Sequence, residues 1–414
     1  MLGNRRSLTG VLLLLLASVP LRAAEGEISL AQALEMFHAH NYDILVSRFE
    51  VDKASADVVG AKLLPNPALS FNYTSIYLES ERGVRIGDNT LWALRLDQPI
   101  ELGGKRGLRT RTAEAALEAV RLSHEDTVRS LTAGFYSLYY AVLLDESNVD
   151  FSRQELERID RILEVSGKRY EAGALSGLDF AKLRLSRVEV EDALINDEAQ
   201  LRNDLEFFNV LLGGDGKLRP APAEAAAPFP EYSEAALIEA AYSQRSDLLS
   251  LEKQLAAAES AHKLARANGI PDLSLGAEYD AVGPSRQPAF GFGLSLNLPV
   301  FNRNQGEVLK AGFARGQIKV EVDKIRRQIQ AEVRQALNNY QAAVRVLETY
   351  RTHGKEMSDL LERTNQAFSR GGLTVLDFLD TQKSYRDFMA KYHQALAQSR
   401  LNEALLKLSA GGMS

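Results

Sequence analysis

Four stretches of the chain alternate apolar and polar residues with a period of two. Leu69, Phe71, Tyr73, Ser75 and Tyr77 interleave with Ser70, Asn72 and Thr74, and Trp92, Leu94 and Leu96 with Ala93, Arg95 and Asp97. Leu273, Leu275, Ala277 and Tyr279 interleave with Ser274, Gly276, Glu278 and Asp280, and Phe290, Phe292, Leu294, Leu296 and Leu298 with Gly291, Gly293, Ser295 and Asn297. Successive side chains of a strand point to opposite faces, so each run predicts a strand with one apolar face. The predicted strands span 68–80, 89–100, 272–282 and 289–300. Each has about the ten residues that a tilted membrane-crossing strand needs, with aromatics toward its ends.

Between the strands the period changes. Ile318, Val322, Ile325, Ile329, Val333, Ala336, Tyr340, Ala343 and Leu347 follow one another in steps of three and four, the seam of coiled-coil-like packing. Beyond residue 24, prolines occur at 65, 67, 99, 220, 222, 228, 230, 271, 284, 288 and 299, which leaves Ile100–Arg219 and Val300–Ser414 free of this helix breaker. Gly306 to Phe368 predicts one helical path of ~95 Å at about 1.5 Å per residue. A compact domain has no use for that length.

The chain also repeats itself with a period near 200. Ser29, Ala31, Asp43, Leu45, Ala54 and Pro67–Ser70 match Ser233, Ala235, Asp247, Leu249, Ala258 and Pro271–Ser274 at a spacing of 204. Leu96–Ile100 matches Leu296–Val300 at 200, and Gly173–Phe180 matches Gly371–Phe378 at 198. Each copy reads as an amphipathic helix, two strands and two long helices. The boundaries are 25–213 for the first copy, 214–230 for a Gly- and Pro-rich linker placed at the waist of the long helices, and 231–414 for the second.

An elongated coiled coil would show the same heptads, and a soluble sandwich the same alternation. Four such strands on an exported chain favour a barrel. Four strands cannot close one, and an open edge in lipid leaves backbone donors and acceptors unsatisfied, so the barrel is expected to be shared between chains. At the two strand-to-helix junctions, Pro99 and Pro299 are expected to interrupt strand pairing. Gly103, Gly104 and Gly306 are expected to supply the backbone angles of the redirection.

Composition narrows the class further. Residues 1–24 carry Arg5 and Arg6, the apolar run Val11–Leu16 and Ala23-Ala24, a secretory signal peptide. The chain has no cysteine, which rules out disulfides, thiolate metal sites and an N-terminal lipidated cysteine. The net charge of −6 is spread without a basic cluster, which argues against a nucleic-acid partner.

With these residues in view, the mature chain resembles the TolC family of outer-membrane efflux proteins over nearly its whole length. Gln98–Arg106 and Leu298–Gly306 further resemble its heavy-metal branch, the CzcC and CusC type. The resemblance implies a homotrimer, twelve strands closing one barrel in the lipid of a Gram-negative outer membrane, and a helical tunnel crossing the periplasm. It implies as partners a periplasmic adaptor protein and an inner-membrane resistance-nodulation-division transporter. It also places the turns Tyr170–Phe180 and Phe368–Asp380 at the periplasmic tips, with Gly173, Leu175, Gly371, Gly372 and Leu373 at the adaptor's docking turns. Asp377, Asp380 and Asp179 fall on the constriction. The spacing of three puts Asp377 and Asp380 on one helix face, where threefold symmetry would stack carboxylate rings. Charges roughly 6 Å apart repel by about 1–3 kcal/mol, so such rings would attract cations. A helix N-cap is the other role open to Asp179 and Asp377. The family's best-known member has an arginine where this chain has Leu373, with Lys168, Arg169 and Arg370 nearby, so closure is expected to differ.

The remaining chemistry is sparse. His38, His40, His124, His262, His353 and His393 include one close pair, and residues i and i+2 on a helix point about 200° apart, so they read as solvated side chains and no metal site or cofactor is expected. Glu155, Glu157 and Glu164 among Arg153, Arg158 and Arg161 read as a salt-bridged surface. No nucleophile elbow, phosphate loop or zinc motif is present, so enzyme activity is not expected. The efflux channel, for heavy-metal cations or for drugs and other small molecules, stands against an exported structural coiled coil and a passive porin.

Overall fold

The computed structural model describes residues 26–75, 90–214, 218–221, 228–282 and 287–412. The signal peptide and the ends of the first two predicted strands, 76–80 and 89, lie outside the described residues. The chain runs β1 (Gly26–Ile28), α1 (Leu30–His40), α2 (Tyr42–Lys62), β2 (Ala68–Ser75), β3 (Thr90–Ile100), α3 (Lys105–Glu171) and α4 (Gly177–Leu211), then β4 (Leu218–Pro220). The second copy follows as α5 (Glu234–Gln244), α6 (Ser246–Ala267), β5 (Leu273–Val282), β6 (Gln287–Leu296), α7 (Gln305–Ser369) and α8 (Val375–Ser409).

Each copy opens with two helices where one was expected. Asn41 breaks the first pair because its side chain accepts from the backbone N–H groups of Asp43 and Ile44, capping α2 before α1 can continue into it. Each proline-free window holds one very long helix and a shorter one. α3 has 67 residues and α7 has 65, about 100 Å each at 1.5 Å per residue. The predicted α7 seam is its packed face: Ile329, Val333, Tyr340 and Leu347 are buried, and the seam joins Leu237, Leu248 and Leu406 in a single core. The first copy has its own core around Phe37, Phe135, Tyr139 and Phe208. In the linker, β4 pairs in parallel with β1, an order the composition did not reveal.

The four strands form one antiparallel sheet in the order β2-β3-β5-β6. Its apolar face is uncovered: Phe71 is 63% exposed, Phe290 78% and Phe292 91%. The opposite face holds Arg95, whose guanidinium pairs with Asp97 at 2.8 Å and reaches Glu278 on β5 at 3.2 Å. That guanidinium lies across Gly276 and Gly293, where a Cβ would come within 2.6 and 3.1 Å of its Nη2 atom. The glycines at 276 on β5 and 293 on β6 therefore let one charged group bridge the two copies on the polar face.

Two junction expectations need correction. Pro99 does not interrupt pairing; it lies in β3 opposite Ser274, while the β2 ladder ends at Ala68 opposite Asp97. A proline there removes no bond on the β2 side. Pro299 does lie beyond its strand, which runs 287–296 and not 289–300. Gly103 and Gly104 take positive φ as expected, +69° and +70°. In the second copy Asn304, at φ 62°, takes that role and caps α7, whereas Gly306 is an ordinary residue inside the helix. Asn tolerates the left-handed region better than other side-chain-bearing residues.

Candidate functional site: the tips of the helical hairpins

The two turns joining α3 to α4 and α7 to α8 have one construction. Two residues beyond the end of α3 stands Gly173 at φ +73°, and two beyond the end of α7 stands Gly371 at φ +82°. The N–H of Ala174 donates to Arg169 O at 2.8 Å, and that of Gly372 to Ala367 O at 2.9 Å, closing each helix with the six-residue bond of a Schellman turn. The next helix starts on Ser176 in one copy and Thr374 in the other. Asp179 N donates to Ser176 Oγ at 3.1 Å, and Asp377 N to Thr374 Oγ1 at 3.2 Å. The hydroxyls return the bond to the carboxylates, at 2.8 and 2.6 Å.

These bonds correct the capping alternative. The caps are Ser176 and Thr374; the aspartates sit three residues on and lock the cap hydroxyls. Asp377 and Asp380 are both exposed and one turn apart, whereas Asp179 is half-buried with Lys182 Nζ 3.4 Å away. The bond from Ser176 first, then Lys182, holds the Asp179 carboxyl below the usual carboxylate range.

Leu175 and Leu373 are half-buried and pack into a cluster formed by Ile159, Ile162, Leu183, Val190, Phe368, Val375 and Phe378. That cluster draws on both hairpins. Tyr170 stacks on Phe180 at 5.2 Å and Phe368 on Phe378 at 4.3 Å, pairs related by the spacing of 198. Arg169 ties the hairpins together: its Nη1 donates to Phe368 O at 2.8 Å and its guanidinium lies 5.4 Å from the Phe368 ring centre. Sequence reading passed over this contact, because 199 residues separate its partners. It also passed over Leu178 and Leu376, a repeat-related pair 69% and 67% exposed on the first turns of α4 and α8.

Other sequence readings shift with burial. His38 is half-buried, its Nε2 3.0 Å from Thr132 Oγ1, and burial lowers its pKa. Glu155 is not on a surface: it is 3% exposed and bound to Arg158, and burial raises its carboxyl pKa against the pull of Arg158 and Arg386. Glu164 behaves as expected, exposed and paired with Lys168 at 2.8 Å.

A hairpin sheet with an uncovered apolar face, continued by two helical hairpins whose first helices are each about 100 Å long at 1.5 Å per residue, is the geometry that comparison with known proteins must match. The model of the family described as outer membrane efflux protein matches residues 21–214 and 237–412. The chain belongs to the outer membrane efflux protein family. It is 24% identical over 397 residues to the cobalt-zinc-cadmium resistance protein CzcC of Cupriavidus metallidurans, covering 91% of this chain and 88% of that one. It is 26% identical over 320 residues to the outer membrane protein TolC of Vibrio cholerae, covering 72% of each. The fold matches a crystal structure of CusC with a TM-score of 0.78 at 18% identity, over 92% of both chains. As a member of this family the chain is an outer-membrane channel for efflux. The uncovered faces of Phe71, Phe290 and Phe292 therefore meet lipid, and the long helices extend into the periplasm.

Proposed function

We propose that this chain is the outer-membrane conduit of a tripartite pump that expels heavy-metal cations. Three copies would supply twelve strands to one barrel, since a sheet ending at β2 and β6 keeps two unpaired edges that lipid cannot satisfy. A periplasmic adaptor and an inner-membrane resistance-nodulation-division transporter complete the assembly. The conduit carries no reaction of its own. The observation that carries the metal reading is the similarity to CzcC, a protein named for cobalt, zinc and cadmium resistance, over 91% of the chain.

At the tip, Asp377 and Asp380 form the constriction. Arg169 performs the closing role that Leu373 cannot, by joining α3 to the end of α7. Leu178 and Leu376 join the docking turns Gly173, Leu175, Gly371, Gly372 and Leu373 as the surface that an adaptor covers. Deleting the gene tests the substrate: cobalt, zinc and cadmium should accumulate in the cells and tolerance to them should fall. Unchanged metal content with new sensitivity to drugs would favour the drug-channel reading.

A further inference from the structure

The sheet meets the helices at four turns, and these stand side by side in one rim. α2 runs into β2 at 63–67, β3 into α3 at 101–104, α6 into β5 at 268–272 and β6 into α7 at 297–304. Arg109 of α3 donates to Leu63 O at 2.9 Å and Gln98 of β3 to Pro65 O at 3.1 Å, which holds the first turn to the second. Asp272 Oδ1 accepts from Leu102 N at 3.0 Å and from Lys105 Nζ at 2.8 Å, which holds the second to the third. Asn304 Nδ2 donates to Ala265 O at 2.7 Å, and a Cβ on Gly269 would lie 2.7 Å from Arg303 O, so the third abuts the fourth.

Each turn has the same two kinds of side chain within a few residues, a large apolar group in the open and an exposed cation. Leu64 is 64% exposed near Lys62, Leu102 37% near Arg106, Ile270 44% near Arg266 and Phe301 92% near Arg303. Lys62 and Arg266 are related by the repeat spacing of 204. The apolar groups adjoin the lipid-facing surface: Leu298 and Val300 are exposed and prolong the series Phe290, Phe292, Leu294 and Leu296 by the same step of two.

The charges of the rim do not cancel. Its two carboxylates are both engaged, Glu101 by Arg109 and Asp272 by Lys105, and Lys62 reaches Glu114 at 3.0 Å. Arg106, Arg266 and Arg303 have no acidic partner among the described residues, in a chain whose net charge is −6. An open apolar group beside an unpaired cation suits the border of a bilayer, where the first enters hydrocarbon and the second lies among phosphates. In a water-filled lumen the same apolar groups would face solvent.

We infer that this rim is a binding site for anionic phospholipid of the inner leaflet, the leaflet at the periplasmic end of the barrel. Arg106, Arg266 and Arg303 hold the lipid phosphate, to which a guanidinium offers two parallel N–H donors, and Leu102, Ile270 and Phe301 contact the acyl chains. The site is independent of what the channel exports.

The full-length protein, reconstituted in nanodiscs of equal parts phosphatidylethanolamine and phosphatidylglycerol and released for native mass spectrometry, shows which lipid stays bound. A cation beside an anionic headgroup strengthens binding about fivefold, so phosphatidylglycerol should be retained in preference by at least that factor. Salt at about 1 M, where charges are screened within about 3 Å, should weaken the preference. The Arg106→Gln, Arg266→Gln, Arg303→Gln triple variant should lose it with unchanged helical circular dichroism, and the corresponding triple lysine variant should keep most of it. Equal retention of the two lipids by the parent overturns the inference, as does a preference that survives the glutamine substitutions. If those substitutions instead alter only the ion selectivity of the channel in planar bilayers, the guanidiniums face the lumen and the inference falls.

Discussion

The two tips share a frame and differ in what covers it. In the first, Tyr170 stacks on Phe180 and remains 47% exposed; in the second, Phe368 and Phe378 are 2% and 0% exposed. Phe368 and Phe378 are packed among Ile159, Ile162, Leu183 and Val190 of the first hairpin, and Arg169 leaves its own hairpin to lie over Phe368. The first copy thus lends a side chain to close the second, and the second tip becomes the better-packed one. Duplication set the backbone, and single residues then divided the roles.

Truncation should separate the tips most strongly. Phe378→Ala removes a fully buried ring, a change that costs about 3–5 kcal/mol in a packed core. Phe180→Ala in the half-exposed pair should cost about 1–2 kcal/mol, since much of that ring already contacts water. Hydrogen exchange of the first turns of α8 and α4 reads the two values. Equal protection losses would show that the second tip is no better packed than the first.

Arg169 should rank next. Arg169→Ala removes a charge-assisted bond to a backbone carbonyl, a class of contact worth about 1.5–3 kcal/mol. In planar bilayers the isolated channel should open more often, and Arg169→Lys should recover part of the closure without the flat guanidinium that stacks on Phe368. Conductance unchanged in both variants would remove Arg169 from the gate.

The seams within the hairpins differ in a titratable group. Between α3 and α4, Asp145 faces Asp204 and Asp197, and burial first, then these carboxylates, push its pKa up to about 7. The positions related by 198 are Ala343 and Asn402, and Asn402 donates to Asn339 O at 3.1 Å. A carboxyl whose folded pKa lies above its ordinary value of 3.8 keeps its full stabilisation only below that value. It loses it as pH rises toward 7, because the folded state holds the proton more tightly. After discounting for solvent screening, about 1 kcal/mol is at stake. Asp145→Asn should lose less stability than the parent between pH 4 and 8 and be more stable than the parent at pH 8 in thermal scans. A difference between the two that does not grow over that range would contradict the assignment.

Much of this fold was legible because period and length are local. The heptads of α7 and the alternation of Phe290 and Phe292 follow from neighbours a few residues away. What stayed hidden depends on distance or on one atom. Nothing near Arg169 in sequence points to Phe368. Nothing in Pro99 shows that β2 has already ended beside it, and Gly306 looked a better turn residue than Asn304 until the backbone angles were known. Asp179 and Asp377 were legible as tip residues. Their bond to a capping hydroxyl was not, because the Ser176 and Thr374 caps rest on a turn three residues wide.

The smallest difference between the tips concerns charge, and it bears most directly on cation export. Asp179 is held by Ser176 and neutralised by Lys182, whereas Asp377 has, among the described residues, no cationic partner beside its bond from Thr374, and Asp380 stands exposed a turn further on. In a threefold assembly the second tip would therefore present two rings of uncompensated carboxylate, and the first a ring of ion pairs. An interaction of about 1 kcal/mol between such a ring and a cation in a solvated channel changes permeability about fivefold. Asn keeps the oxygen that receives the Thr374 hydroxyl, so Asp377→Asn removes the charge and leaves the cap. The Asp377→Asn, Asp380→Asn double variant should lose most of its cation selectivity and its block by di- and trivalent cations added from the periplasmic side of a planar bilayer. Asp179→Asn should change neither by as much as twofold, because it removes a charge already paired. Wild-type selectivity in the double variant would move the constriction away from these aspartates. A large effect of Asp179→Asn would show that Lys182 does not neutralise it in the assembled channel.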